Sequence, residues 1–506
     1  MKRFMNSFRN IEIIQIPIWL LLLLWCSSIM FWIEADSYTH DILLRGDTSW
    51  FMAGGRAVVE GLVPYVDFSD SKGLLLWWIY GLGYLINDYS YVGVFWISVL
   101  FSWGTFMYSY KTAMLLTSND QRKALVSVLM MSFPYYTFLL QGRIMEFRCE
   151  DFCLLFISLG LYYLVKGFKQ PSTLHSWKPG FLLGVSLVAC IMIKWSIGVM
   201  YLSIVGCYCL LMARRKTVRG LVDGLLGILV ACIPFAIAFL YYGNFQAFIQ
   251  EYFLNTGKTV SQSLDVMLGE YFGVELKRLI TTKSVISLFW IASAAFYTYI
   301  KKLNVLPVLS GMFILLLAAK HDLGYYTIVV APYAIFVCIL FTEWLFSHTS
   351  VYSKHPIALV VAWWMFSTIP NFILNEGMWY NSDRELYYKT AFIMGQVKRA
   401  KVINHSSVGD PVGSLPGSKY WLPQLGETAE MAAVRQRDIR ESKADFIFGD
   451  CEMLIDKERY QLYTLVDKKG ESISFWGIKG LNYPPEDFHV SNMDILLKRR
   501  VINNKR

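Results

Sequence analysis

Long apolar stretches alternate with short polar connections over most of the chain, and then the pattern changes. Windows of about 19 residues pick out about eleven apolar runs. They are Ile14 to Ile33, Tyr91 to Tyr110, Ala124 to Leu140, Phe152 to Val165, a pair within Gly180 to Met212 that breaks at Lys194 to Ser196, Leu221 to Tyr242, Val285 to Ile300, Val305 to Ala319, Tyr326 to Phe346 and Ile357 to Leu374. About 20 apolar residues in a helix cross a bilayer core, so these runs predict membrane-spanning helices. Leu74 to Ile86 is too short to cross and predicts an interfacial helix in the first external loop. From Asn375 onward the apolar runs shorten and charge rises. "KVINHSS", "ADFIFGD", "YQLYTLVD" and "SISFWGI" read as strands, and "ETAEMAAVRQRDIRESK" as a helix between them. The expected architecture is an α-helical polytopic membrane domain over 1–375, with about eleven transmembrane helices, and a small C-terminal extracytoplasmic α/β domain over 376–506.

Composition supports this class. Of 506 residues, 55% are hydrophobic and only 17% charged, and the mean hydropathy is +0.41. A soluble domain has too little polar surface to cover so much apolar material. The net charge of +9 does not indicate nucleic acid, because the basic residues fall between apolar runs, where they set topology. With the N-terminus cytoplasmic, the clusters Lys2/Arg3/Arg9, Lys111/Arg122/Lys123, Lys166/Lys169/Lys178, Arg214/Arg215/Lys216/Arg219 and Lys301/Lys302 all fall inside. The loops of mixed charge, and the tail, then share the outer face of a bacterial-type inner (plasma) membrane. No phosphate-binding glycine loop occurs in the tail, and no cysteine or histidine cluster has metal-site spacing.

The first outer loop carries the candidate chemistry. "DTSWFMAGGRAVVEGLVPYVDFSDSKG" runs from Asp47 to Gly73 and holds Asp47, Glu60, Asp67 and Asp70 between two membrane-hugging stretches. A carboxylate at such a boundary can accept a proton from a hydroxyl or hold a divalent ion; it can also simply solvate the loop. Lys194 sits inside a long apolar run, where an ionisable group is costly and more often functional.

This loop resembles the first external loop of the GT-C superfamily glycosyltransferases, the polytopic enzymes that use polyprenyl-phosphate sugars and include protein mannosyltransferase and aminoarabinose transferase relatives. The shared pattern is an acid after the first span, a helix of small residues, a Gly-x-x-Pro-Tyr-x-Asp turn and a lysine; here these are Asp47, Gly61 to Asp67 and Lys72. "CEDFCLLFISLGLYYL" resembles the second acidic site, on Glu150 with Asp151 beside it and Glu146 as the competing position. "KWSIGVMYL" and "KHDLGYYTIVVAPY" resemble later segments of the same family. The sequence departs from the pattern at Gly73, where the family has proline, and in the high charge of "GRIMEFRCED".

The resemblance implies transfer of a sugar from a polyprenyl-phosphate donor to a hydroxyl on a glycan, lipid or protein acceptor, by an inverting displacement. Asp47 and Glu150 would be catalytic, Asp47 as general base. Arg143, Arg148, Lys194, His321 and Tyr325 would meet the donor phosphate, with Tyr65, Asp67, Asp70 and Lys72 supporting from the first loop. A divalent cation, Mg or Mn, would sit between Asp47 and Glu150 if the enzyme uses one; members of the superfamily differ. The competing classes are a transporter or flippase of lipid-linked glycans, which would show inverted repeats and broken mid-membrane helices, a glycan polymerase or ligase, which would place a large basic loop late in the chain, and a catalytically inert scaffold.

Overall fold

The structure is a computed structural model describing residues 17–33, 47–87, 91–136, 148–255, 282–319, 324–348, 362, 364–365, 369, 382–404, 414–422, 427–467, 470 and 472–485. The run Ile357 to Leu374 therefore lies almost wholly outside the described residues. The first part of the chain is helical: α1 (Ile18–Ile33), α2 (Asp47–Val59), α3 (Leu74–Ile86), α4 (Val92–Leu116), α5 (Gln121–Tyr136), α6 (Cys149–Lys169), α7 (Trp177–Ile193), α8 (Trp195–Arg214) and α9 (Arg219–Tyr242). A short helix, Phe245–Phe248, then runs into a π-helical turn, Ile249–Asn255. The helices α10 (Thr282–Ile300), α11 (Leu306–Ala319) and α12 (Ala334–His348) follow. Among the described residues, five helical stretches are long and apolar enough to cross a membrane: α4, α6, α8, α9 and Ile328–Ser347. Five shorter apolar helices pack among them. The expected span from Tyr326 is not uniform, since Gly324–Tyr333 is 3-10 helical and contains Pro332, whose missing N–H and fixed φ disfavour a regular α-turn before it.

Helix α9 shows how the bundle is held. It is the most apolar of the long helices, at a mean hydropathy of 2.4, yet only 17% of that window is buried. Leu225, Leu229 and Leu240 stand exposed, as a lipid-facing stripe should. The opposite face meets α7 through paired glycines. A Cβ on Gly180 would lie 2.2 Å from the Gly220 carbonyl oxygen, and one on Gly184 only 2.1 Å from that of Gly224. Two four-residue glycine spacings interlock, so the backbones approach closely; van der Waals contact, the main attraction between helices in lipid, is thereby maximised.

Past α13 (Ser382–Met394) the chain builds a five-stranded sheet in the order β2-β1-β3-β5-β4, with β1 (Lys401–Asn404), β2 (Leu415–Pro416), β3 (Phe446–Phe448), β4 (Tyr460–Val466) and β5 (Ser472–Ile478). β1 is parallel to β2 and β3, whereas β5 is antiparallel to β3 and β4. The helix α14 (Ala429–Arg440) supplies the crossover that a parallel β1–β3 pair requires. Its N-cap is Thr428, whose side chain accepts from the Met431 amide. Although weakly apolar, α14 turns two charged residues inward. Buried Arg435 grips Glu427 and donates to the carbonyls of Tyr420 and Leu422, and Asp438 accepts from the Ser418 hydroxyl at 2.6 Å. The segment Ser414–Leu422 is thus clamped from the tail side. On its other side Leu415, Trp421 and Leu422 join the apolar core of the helical bundle.

Candidate active site

Four helices begin at one place. Asp47 is the first residue of α2, and Gly73, Arg148 and Lys194 stand immediately before α3, α6 and α8. The contacts tie these starts together. Arg148 Nε lies 3.8 Å from Asp47 Oδ2, Lys194 Nζ lies 2.5 Å from Glu150 Oε1, and the Gly73 amide donates to the Ile193 carbonyl at 3.0 Å. Each helix N-terminus carries unsatisfied N–H groups and the positive end of the helix dipole, so the convergence favours negative charge.

The break at Lys194 is what makes the last contact available. Lys194 is extended (φ −154°, ψ 113°) and separates α7 from α8. The carbonyl of Ile193 is left to accept from Gly73. Proline could not stand at position 73: it has no N–H to donate, and a Cβ there would already fall 2.1 Å from the Met192 carbonyl oxygen.

Lys72 lies at the centre of the cluster, within electrostatic reach of Asp70, Cys149, Lys194 and Asp47. Its Nζ is 3.6 Å from Asp70 Oδ1 and lies over the Phe51 ring, 5.3 Å from the centroid. Burial works against its charge, but the groups facing it, Asp70 first among them, outweigh that, and the ammonium is held up to about 12. Tyr65 fixes the loop behind it. Its φ of 66° forms the tight turn, and its hydroxyl donates to the Lys72 carbonyl at 3.0 Å. Burial, with Asp70 second, pushes that hydroxyl well up, so it stays protonated.

The expected residues are distributed as follows. Asp47, Arg148, Glu150, Lys194, Asp70 and Lys72 come together, with Tyr65 supporting. Asp67 does not join them: it closes its own turn by accepting the Val63 amide at 2.7 Å, and is exposed. Asp151 accepts the Arg148 amide at 2.9 Å and so caps the start of α6; arginine has no side-chain acceptor to complete a capping box, so the spacing carries no sign of that role. Arg143, Glu146 and His321 lie outside the described residues, and Tyr325 is described only as part of a 3-10 helix. The described residues do not suit a divalent cation between Asp47 and Glu150. Each acid faces a basic partner, and among the described residues no three His, Cys, Asp or Glu side chains group as ligands.

A second polar centre was not foreseen. Glu251, on the π-helical turn, is buried and accepts from the Tyr420 hydroxyl at 3.0 Å, Lys419 Nζ at 2.6 Å, Ser69 Oγ at 3.3 Å and Asn255 Nδ2 at 3.1 Å. The Ser69 amide donates to the Lys419 carbonyl at 2.8 Å. Burial, and then Glu251, push the Tyr420 hydroxyl up, so it remains a donor. First loop, π-turn and tail therefore meet on one carboxylate.

The description dolichyl-phosphate-mannose-protein mannosyltransferase belongs to the family whose model matches residues 71–241. That stretch contains Lys72, Gly73, Arg148, Glu150 and Lys194, and leaves Asp47 outside. No curated protein matches the sequence. Among solved structures, ArnT from Cupriavidus metallidurans in the apo state is similar at a TM-score of 0.54 and 11% identity, covering 92% of this chain and 99% of that one. The same protein bound to undecaprenyl phosphate gives 0.49 at 12% identity, covering 92% and 99%. The apo oligosaccharyltransferase from Archaeoglobus fulgidus gives 0.49 at 11%, covering 93% and 74%.

Proposed function

We propose that this chain, which has the fold of the GT-C superfamily glycosyltransferases, moves a sugar from a polyprenyl-phosphate donor to an acceptor hydroxyl. The observation carrying the proposal is the convergence of four helix N-termini with Lys72, Arg148 and Lys194. A lipid-linked phosphate needs such an electropositive seat next to a membrane. Asp47 takes the proton of the acceptor hydroxyl as its oxygen attacks the anomeric carbon. The bond from that carbon to the phosphate oxygen breaks, and polyprenyl phosphate leaves with the electron pair, inverting the centre.

Three carboxylates, Asp47, Asp70 and Glu150, face the three cations, so an arriving phosphate competes with resident acids. The pair it displaces first is Arg148 with Asp47. At 3.8 Å it is beyond hydrogen-bond length, and the Asp47 side chain is 27% exposed. Arg148 turning to phosphate leaves Asp47 basic for the acceptor. Glu150, only 1% exposed, holds the Lys194 side chain in place. In this reading Glu150 is a positioning residue.

The reaction belongs on the extracytoplasmic face of a bacterial-type inner membrane, with the N-terminus cytoplasmic and the tail from 376 forming an outer domain that helps select the acceptor. Mass spectrometry of envelope glycans tests the proposal. Cells lacking the protein lose a sugar modification, which the native chain restores and Asp47→Asn, expressed to the same level, does not. Full restoration by Asp47→Asn removes the base.

A further inference from the structure

Between the first loop, the π-helical turn and α14 lies a cleft of about 640 Å³, within the range of about 300–1,000 Å³ typical of small-molecule sites. It is not the cluster around Lys72; it lies on the other side of the first loop, where Asp67 points. Its cations are all engaged by resident acids: Lys419 by Glu251 at 2.6 Å, Lys443 by Asp438 at 2.7 Å and Arg437 by Asp438 at 3.6 Å. An anionic ligand would meet four acids, Asp67, Glu251, Glu430 and Asp438, against three cations, without the four converging helix starts that offset the acids around Lys72. A strongly cationic one meets three basic side chains. An apolar one finds few partners in a predominantly polar wall. The neutral polar groups of the lining are bonded internally but keep capacity of the other kind. The Ser418 hydroxyl, which donates to Asp438, still accepts, and the Thr428 hydroxyl, which accepts from the Met431 amide, still donates. Gln250, which donates to Asn255 Oδ1, keeps its carbonyl oxygen, with Tyr420 in the same wall. Vicinal hydroxyls on a pyranose match this arrangement, since each is donor and acceptor at once and carboxylates accept them in pairs.

We propose that this cleft binds the carbohydrate part of the acceptor, a short run of neutral sugar units. The proposal rests on the glycosyl-transfer reading above. It adds a route by which occupancy reaches the reaction. The Lys419 carbonyl and the Glu251 carboxylate, both in the cleft wall, hold Ser69, and Ser69 precedes the Asp70 that pairs with Lys72. A sugar seated against Tyr420 and Glu251 thus stiffens the loop that carries the central cation.

Photo-crosslinking tests this in the full-length chain within its own membrane. A benzophenone amino acid is placed at Glu430 or Val434, both in the cleft wall, and at Met453, which is 99% exposed on the tail. After irradiation the purified protein is probed by periodate oxidation and hydrazide labelling. The expected result is a carbohydrate-bearing adduct from positions 430 and 434 and none from 453. No adduct at either cleft position, or an adduct with a protein, overturns the proposal. Failure here with loss of transfer in Asp47→Asn rejects only the subsite; carbohydrate capture with normal transfer in Asp47→Asn rejects only the assigned base.

Discussion

Lys72 is held where its charge is costly, buried over the ring of Phe51, and it stays charged chiefly because Asp70 faces it. Its native value is raised above the ordinary one, so the stabilisation it gives is fully present below about pH 10.5 and is lost as pH climbs through about 12. That linkage is worth about 2 kcal/mol. Lys72→Met should therefore melt at lower temperature near neutral pH and lose sugar transfer by about a hundredfold or more, while Lys72→Arg should retain most of both. Thermal scans in detergent beside transfer assays check this; a Lys72→Met protein with native turnover contradicts it. At this scale the sequence was partly legible. A lone lysine between acids drew attention as loop support, but its central place depends on Cys149 and Lys194, far along the chain, which no spacing could bring together. Asp67 and Asp70 look equivalent in sequence; one closes a turn and the other holds a cation, because the left-handed Tyr65 folds the chain so that Asp67 comes back onto the Val63 amide, while Asp70, three residues on, meets Lys72.

At the scale of elements, the apolar runs that fall among the described residues lie on helices, and the four expected strands lie on β1, β3, β4 and β5, since burial in lipid and the two-residue period of a strand leave plain marks. The break at Lys194 was legible for the same reason, as a charged residue in an apolar run. Two elements were not. β2 is only Leu415–Pro416, too short to alternate, and exists because it pairs with β1. The 3-10 stretch Gly324–Tyr333 is as apolar as the α-helix it joins, so hydropathy alone could not separate them. Gly73 belongs to this scale because it docks one element on another. Gly73→Ala puts a methyl 2.1 Å from the Met192 carbonyl oxygen, so the start of α3 must move away from the α7–α8 break. The expected outcome is at least a tenfold loss of transfer with only a modest drop in melting temperature. Unchanged turnover would show that this contact does not position the site.

For the whole molecule, the helical bundle and the tail are joined through a buried carboxylate. Glu251 collects Ser69 from the first loop and Lys419 and Tyr420 from the tail, and removing one partner of such a buried network leaves the others unsatisfied. Glu251→Gln should loosen the tail, raising the rate of proteolytic cleavage within Ser414–Leu422 about tenfold while the membrane helices stay intact; equal cleavage would mean that the apolar contacts of Leu415 and Trp421 suffice. Nothing in the sequence joins positions 69, 251 and 419, because such a contact exists only once segments far apart in the chain have packed together. The account as a whole stands on Asp47 acting as base beside the electropositive seat. Its most direct test is single-turnover transfer by the reconstituted protein, supplied with a polyprenyl-phosphate sugar and with envelope extract as acceptor. With Asp47→Asn the account predicts that donor binding is kept while the transfer rate falls by about 10²–10⁴-fold; a variant that transfers at the native rate contradicts it.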